Sequence, residues 1–305
     1  MDHAIRFHAV EWPTLGLVVA VHVCWMLVTA GADSLGPWVT APLLTIVLVL
    51  HSSVQHEVIH GHPFRNRALN EVLAIVPLGL FIPYNRFRDT HLAHHRSHTL
   101  TCPRRDPESA YVDPATWNAL PGPVKMLLHA NNTLAGRIVL GPLISQFLLV
   151  SGDLRRAWSG EAGLVRAWVL HAAGLVPVIW WLLEAGEVPG WMVLATAYAA
   201  LSILKVRTYA EHRAHPDPHA RSCVVENGGV LGLLFLNNHL HALHHAEPEL
   251  AWYRLPARYR ACRTAILRVN DGYRFASYAE LFRRHFARPR DQVPHPLPGI
   301  FNPQR

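Results

Sequence analysis

"PWVTAPLLTIVLVLHSSVQHEVIHGH", residues 37–62, joins two signals in one stretch. Its first part, 37–55, is predominantly apolar over nearly the ~20 residues a helix needs to cross a hydrocarbon core. Its end sets His56 and His60 four residues apart, so on a helix they lie about 40° apart and face one way. The expectation is a membrane helix whose end carries a pair of metal-ligating side chains. His-Glu-x-x-His is also a zinc-protease signature, in which Glu57 is the general base. The rest of the chain has to decide between these.

Three further runs have the length and apolarity of spans: 14–30, 164–185 and 190–207. The stretches 69–84 and 138–151 are marginal, and Pro77, Gly79 and Pro83 make the first a better interfacial segment than a crossing. The first run lacks a small-residue cleavage site and is expected to stay as an anchor. The turns at 31–36 and 184–190 contain no Lys or Arg, whereas 65–105, 207–221 and 254–305 are rich in arginine. Positive residues gather on the cytoplasmic side. The expected fold is therefore an all-α integral membrane domain over 1–288, with four helices in two hairpins. Segments 56–163 and 208–288 would form a cytoplasmic helical cap, with both termini on that side and a loose Pro-rich tail at 289–305. Charged residues make up 16% of the chain, against about 25% in a soluble domain. The net charge of +7 therefore suits an anionic membrane surface rather than nucleic acid. The four cysteines form no C-x-x-C pair, so neither a zinc ribbon, an iron–sulfur ligand set nor a disulfide framework is expected.

The chain holds 22 histidines, and nine of them fall into clusters that this topology puts on one side. They are His56 and His60; His91, His94 and His95 in "HLAHH"; His212 in "TYAEHR"; and His241, His244 and His245 in "HALHH". In each H-x-x-H-H box the first histidine lies one turn before the other two, while the adjacent pair diverges by about 100°. One box can then reach two metal ions side by side. Nine ligands exceed what one tetrahedral or octahedral ion can use, so two ions with open positions are expected. Neutral imidazole suits iron, copper, nickel or zinc. Glu57, Asp89, Asp106, Glu211 and Glu226 are candidates to accept the outer imidazole N–H groups, and Asn238 to hold a metal-bound water. His22, His51 and His171 lie inside spans and are expected to be hydrogen-bonded core residues. His62, His98 and His239 are spare donors beside the boxes. His3, His8, His129, His215, His219, His285 and His295 are expected at the surface.

Four motifs carry a resemblance. "HEVIHGHPFRNRALNE" (56–71), "FRDTHLAHHRSHTLTCPRRDPE" (87–108) and "NNHLHALHHAEPELAWYRLPARYR" (237–260) resemble the three histidine boxes of the membrane fatty acid desaturase family. "TYAEHR" (208–213) is similar to the Tyr-x-Glu-His element of the related alkane hydroxylases and implies a ligand role for His212. The resemblance implies four membrane helices under a cytoplasmic cap, a di-iron centre, O2 as co-substrate and an external electron donor. Neither the His-Pro-Gly-Gly segment of a fused cytochrome b5 nor a four-cysteine rubredoxin segment is present. The implied donor is thus a separate ferredoxin, rubredoxin or cytochrome docking on the arginine-rich face.

The expected activity is desaturation or hydroxylation of an unactivated C–H site in a fatty-acyl or other lipid-like substrate. Such a substrate would enter from membrane lipid between the hairpins, near Trp180, Trp181, Trp191 and Tyr198. A smaller polar metabolite is the alternative substrate. A zinc protease using His56, Glu57 and His60 leaves seven histidines without a role, and a metal transporter requires ligands along the spans rather than at their ends.

Overall fold

The computed structural model describes residues 10–297. His3, His8 and the tail beyond 297 lie outside the described residues. Helix α1 (Trp12–Ala30) starts on Pro13, whose missing N–H costs nothing in a first turn. A four-residue α2 (Ala32–Leu35) and Gly36, at φ 72°, turn the chain back into α3 (Pro37–Ile59). Val18, Val21 and Trp25 of α1 share a core with Leu44, Leu48 and Val49 of α3. Thr29 and Thr45 bond back to the carbonyls of Trp25 and Ala41, both at 2.8 Å, so their hydroxyls are satisfied without water.

The stretch 69–84 does not cross. Its first part completes α4 (Arg67–Ala74), capped by Asn66, and irregular backbone leads to α5 (Tyr84–His95). Such backbone is tolerated beside apolar helices only when its polar groups are met. His51 Nε2 and Gln55 Nε2 of α3 bond to Val76 O at 3.0 Å and Ala74 O at 2.8 Å, and His171 Nε2 bonds to Leu80 O at 2.9 Å. The span histidines His51 and His171 thus fasten this loop. Gly174 lets it approach, because a Cβ there would stand 2.9 Å from Ile75 O.

After α6 (Pro114–Ala119) and α7 (Gly122–Asn131) come three long helices: α8 (Leu134–Trp158), α9 (Ala162–Glu184) and α10 (Gly190–Glu211). Among the described residues, four helices are long and apolar enough to cross a membrane: α1, α3, α8 and α9. The sequence reading names 190–207 in place of α8. The marginal stretch at 138–151 lies within the 25-residue α8, and 190–207 lies within α10, which runs from the turn where Glu187 N–H bonds to Thr29 O at 2.8 Å to its C-cap His212. Lys205 and Arg207 make the end of α10 polar, and its Ala197, Ala200 and Ser202 are buried between α3 and α8. Outward-facing Phe147, Leu154, Val169, Ile179 and Leu183 leave the α8 and α9 surfaces apolar, as lipid-facing surfaces are. Trp180 and Trp191 are also outward, whereas Trp181 donates to Thr29 Oγ1 at 3.0 Å. Tyr198 donates to Val139 O.

A buried bidentate pair, Arg86 Nε–Asp153 Oδ2 at 2.8 Å and Nη2–Oδ1 at 2.9 Å, ties α5 to α8. Trp168 Nε1 of α9 joins the same carboxylate at 2.9 Å. The C-terminal part adds β1 (Val224–Asn227), α11 (Gly229–Leu234), α12 (His241–Ala246), α13 (Leu255–Val269), β2 (Arg274–Ser277) and α14 (Tyr278–His285). The fold is thus mostly helical, with one parallel strand pair in which Val225 faces Phe275.

The expected loose tail is tied down as far as it is described. Arg290 is held by Tyr209 O at 2.6 Å, by Tyr273 Oη at 2.6 Å and by His212 O. His295, expected at the surface, is 3% exposed and bonds to Thr101 Oγ1 at 3.1 Å. Backbone bonds between Val112 and both Val293 and His295, each 2.9 Å, lay this segment against the loop after α5.

Candidate metal centre

Each histidine is delivered by a helix end. His56 is in the last turn of α3 and His60 is its C-cap; His91, His94 and His95 close α5; His212 caps α10; and His241, His244 and His245 make up half of α12. The turn into α12 needs left-handed backbone at Leu236 (φ 48°) and Asn237 (φ 61°), and Asn237 Nδ2 holds it through Trp252 O at 3.0 Å. Left-handed backbone in residues other than glycine is strained and persists where surrounding contacts enforce it.

All nine expected histidines converge, in two groups. His56, His60, His91, His95 and His244 form one, and His94, His212, His241 and His245 the other; in each, one nitrogen per residue lies within 4.8 Å of all the rest. The boxes are shared between the groups. In both H-x-x-H-H boxes the i, i+4 pair stays together and the i+3 histidine crosses over, as the 100° step per residue dictates. The groups adjoin where His95 stacks on His245, with ring centroids 4.2 Å apart.

The nitrogen geometry fits metal ions. Nε2 atoms stand 3.0 Å apart for His60 and His91, 3.1 Å for His95 and His244, 2.9 Å for His94 and His212, and 3.0 Å for His212 and His241. Ligands on a common ion with metal–imidazole bonds of about 2.0–2.1 Å would be separated by ~2.9–3.4 Å. Outer partners fix the tautomers. His94 Nδ1 donates to Asp106 at 2.7 Å, His91 Nδ1 to Glu108 at 3.0 Å, and His241 Nδ1 to Asn238 Oδ1 at 3.0 Å. His212 Nδ1 meets Ser222 Oγ at 3.2 Å. An imidazole whose proton sits on Nδ1 turns a lone pair inward at Nε2, so the inward nitrogens face one another as acceptors. A cation between them resolves that conflict.

The electrostatics agree. Burial, then the neighbouring histidines, hold His60, His212, His241, His244 and His245 well below the usual imidazole range, and His95 at about 3. Shifts in that direction favour the neutral imidazole, the form that can ligate a metal. Burial also disfavours protonated His94, but the Asp106 hydrogen bond and nearby carboxylates outweigh it and push that ring up. Burial works to raise the Glu108 carboxyl, yet His91, followed by His94 and Arg207, holds it at about 2.

Of the expected carboxylates, Asp106 is in place. Glu211 lies 3.5 Å from His241 Nδ1 and 3.0 Å from Arg207. Glu57 is 3.8 Å from His56 Nδ1 and accepts the Trp252 N–H at 3.1 Å, bracing α3 against the loop after α12. Asn238 serves His241 directly. Asp89 and Glu226 are not brought to the histidines. Asp89 points outward and pairs with Arg88 at 2.8 Å, and Glu226 pairs with Arg263 and Arg274. His62 pairs with Glu11 at 2.7 Å, and the His239 ring packs on Gly228 and Gly232. Glu108 and Ser222 were missed. The Asp-Pro-Glu after the second box was the available signal for Glu108; Ser222 left none.

Beside the second group lies a cavity of about 330 Å³ between α3, α5, α8, α10 and the loop after α5. Ile82, Phe87, Leu201 and Leu204 give it an apolar side, and Glu108, Glu211 and His212 open onto it from the metal side.

A family model described as fatty acid desaturase matches residues 33–277. The chain belongs to the fatty acid desaturase family. Family members are iron-dependent membrane oxidoreductases, and the two histidine groups of this desaturase-family chain could hold such metal. It is similar to a beta-carotene ketolase of Paracoccus sp. (strain PC1), 24% identical over 79% of this chain and 90% of the relative. A beta-carotene ketolase of Paracoccus sp. (strain N81106 / MBIC 01143) is 23% identical over 79% of this chain and 86% of the relative.

Proposed function

We propose that this chain oxidises an unactivated C–H bond of a lipid-like substrate, with O2 as co-substrate and two iron ions held by the two histidine groups. The observation that carries this reading is the pair of inward-facing imidazole groups beside a cavity with an apolar wall. Bound iron would supply oxygen activation and take up electrons from a separate ferredoxin, rubredoxin or cytochrome. The protein does the rest. Asp106, Glu108, Asn238 and Ser222 hold the Nδ1 protons and so keep the inner nitrogens available as ligands. Phe87, Leu201 and Leu204 align a hydrocarbon, and the burial of His94, His241 and His244 excludes bulk water.

The likeness to beta-carotene ketolases supports oxygen insertion over desaturation and a long apolar substrate over a small polar one. A zinc protease is disfavoured because His56 and His60 share their group with His91, His95 and His244, more ligands than a one-zinc catalytic site uses. In this reading residues 1–288 are one domain in two helical hairpins, with termini and histidines on the cytoplasmic side. Exposed Arg260 and Arg268 of α13 offer an acidic donor a docking face there.

The test is mass spectrometry of lipids from cells expressing the wild type or His244→Ala, with metal analysis of both proteins. Two irons per wild-type chain and a lipid gaining oxygen are expected. One zinc per chain, or no lipid differing between the two strains, would overturn the reading.

A further inference from the structure

The cavity beside the second histidine group is not wholly apolar. Three cations line it, and they are not equivalent. Arg207 is paired with Glu211 at 3.0 Å. Arg137 spends only its Nε, on Asn131 O at 3.0 Å, and forms no ion pair among the described residues. The Lys205 ammonium has neither a hydrogen bond nor an ion pair among them. The carboxylates around the cavity are committed elsewhere: Asp106 to His94, Glu108 to His91, and Glu211 to Arg207. Arg137 and Lys205 come from different helices, α8 and α10, and meet at Gly141. A Cβ there would stand 3.1 Å from Arg137 Cδ and 3.3 Å from Lys205 Cγ, so the missing side chain is what lets both stems lie together. Both residues are half-buried, and a cation that loses part of its hydration without gaining a partner is costly. Two of them, with stems meeting at Gly141, line the same cavity as the apolar Phe87, Ile82, Leu201 and Leu204.

We infer that the cavity takes an amphiphile with an oxyanion head, a carboxylate or phosphate, which Lys205 and Arg137 bind while its hydrocarbon lies along Phe87, Ile82 and Leu204. The inference rests on the oxidation proposed above and deepens it: the substrate is anionic at one end, and the head group fixes which carbon reaches the histidines. Lys205 and Arg137 are positioning residues in that role.

Equilibrium dialysis of the full-length protein in a neutral detergent tests this with labelled dodecanoate, competed by methyl dodecanoate or dodecyl phosphate. The wild type should prefer dodecanoate over its methyl ester by about tenfold or more, as a charge-assisted contact implies. Lys205→Met and Arg137→Met should abolish that preference at unchanged iron content, and Lys205→Arg should keep it. Competition by dodecyl phosphate identifies a general oxyanion site and its failure a carboxylate site; both support the inference. Equal wild-type affinity for acid and ester overturns it without any variant, as does an undiminished preference in both Met variants. Binding is read without turnover, so a failed oxidation assay and a failed binding assay remain distinct results.

Discussion

The two histidine groups are built from the same boxes but braced differently. In the four-membered group three rings have an outward partner: His94 on Asp106, His212 on Ser222 and His241 on Asn238. In the five-membered group His91 has Glu108, and no outward hydrogen bond is found for His60, His95 or His244 among the described residues. Arg290 adds a further restraint to the smaller group by holding the carbonyl of His212 itself. Pre-orientation and ligand number are alternative routes to affinity. The smaller group relies on rings fixed in advance, the larger on one more ring.

The strongest way to break this comparison is to delete one ligand from each group. His241→Ala should empty the four-membered group and His244→Ala weaken the five-membered one, each leaving about one iron per chain. Turnover should fall by more than about 100-fold in both, since outer partners alone are worth 10- to 100-fold. Two irons and retained turnover in either variant would dissolve the division into groups. Next in size is Asp153→Ala, which strands Arg86 in the interior at a cost of about 3–5 kcal/mol. Because α5 supplies both groups, thermal unfolding in detergent should drop while any iron lost is lost from both alike. The smallest effect sharpens the asymmetry most. Asp106→Asn should lower iron affinity of the four-membered group by about 10- to 100-fold and that of the other by less, through the loop that carries Glu108 to His91. Asp89→Asn, on the same helix but facing out, should change stability by no more than about 0.5 kcal/mol and leave iron content unaltered.

The histidines were legible because their residue type is rare in apolar chains and their spacing reports helix geometry directly. The carboxylates were less legible, because nearness in sequence does not decide nearness in space. Asp89 stands two residues before His91, about 200° around α5, and so points away from it. Glu108 lies 17 residues beyond His91 and returns only because the loop folds over Asp106, which accepts the N–H groups of Thr101 at 2.7 Å and Glu108 at 2.9 Å. The Asp-Pro-Glu after the second box marks where the loop returns but not which ring it meets. The full length of α8 was hidden for a different reason. The apolar run at 138–151 is flanked by Arg137 and Asp153, and no pattern in the sequence shows that Asp153 is neutralised by Arg86 and buried. The same blindness applied to 289–297: a Pro-rich segment was expected to hang free, and one arginine together with a backbone ladder anchors it.

The crossing of the i+3 histidine has a consequence for what the gene can tolerate. A one-residue insertion in α5 ahead of His91 would swing all three of its histidines by about 100° and disorder both groups at once. A seven-residue insertion, two turns, would return them nearly to phase. The length of α5 upstream of its box is therefore constrained in steps rather than residue by residue, and the same holds for the spacing that leads into α12. Loops that merely join helices carry no such quantum, so natural length variation in this chain should accumulate between the boxes and stop abruptly at the helices that bear them.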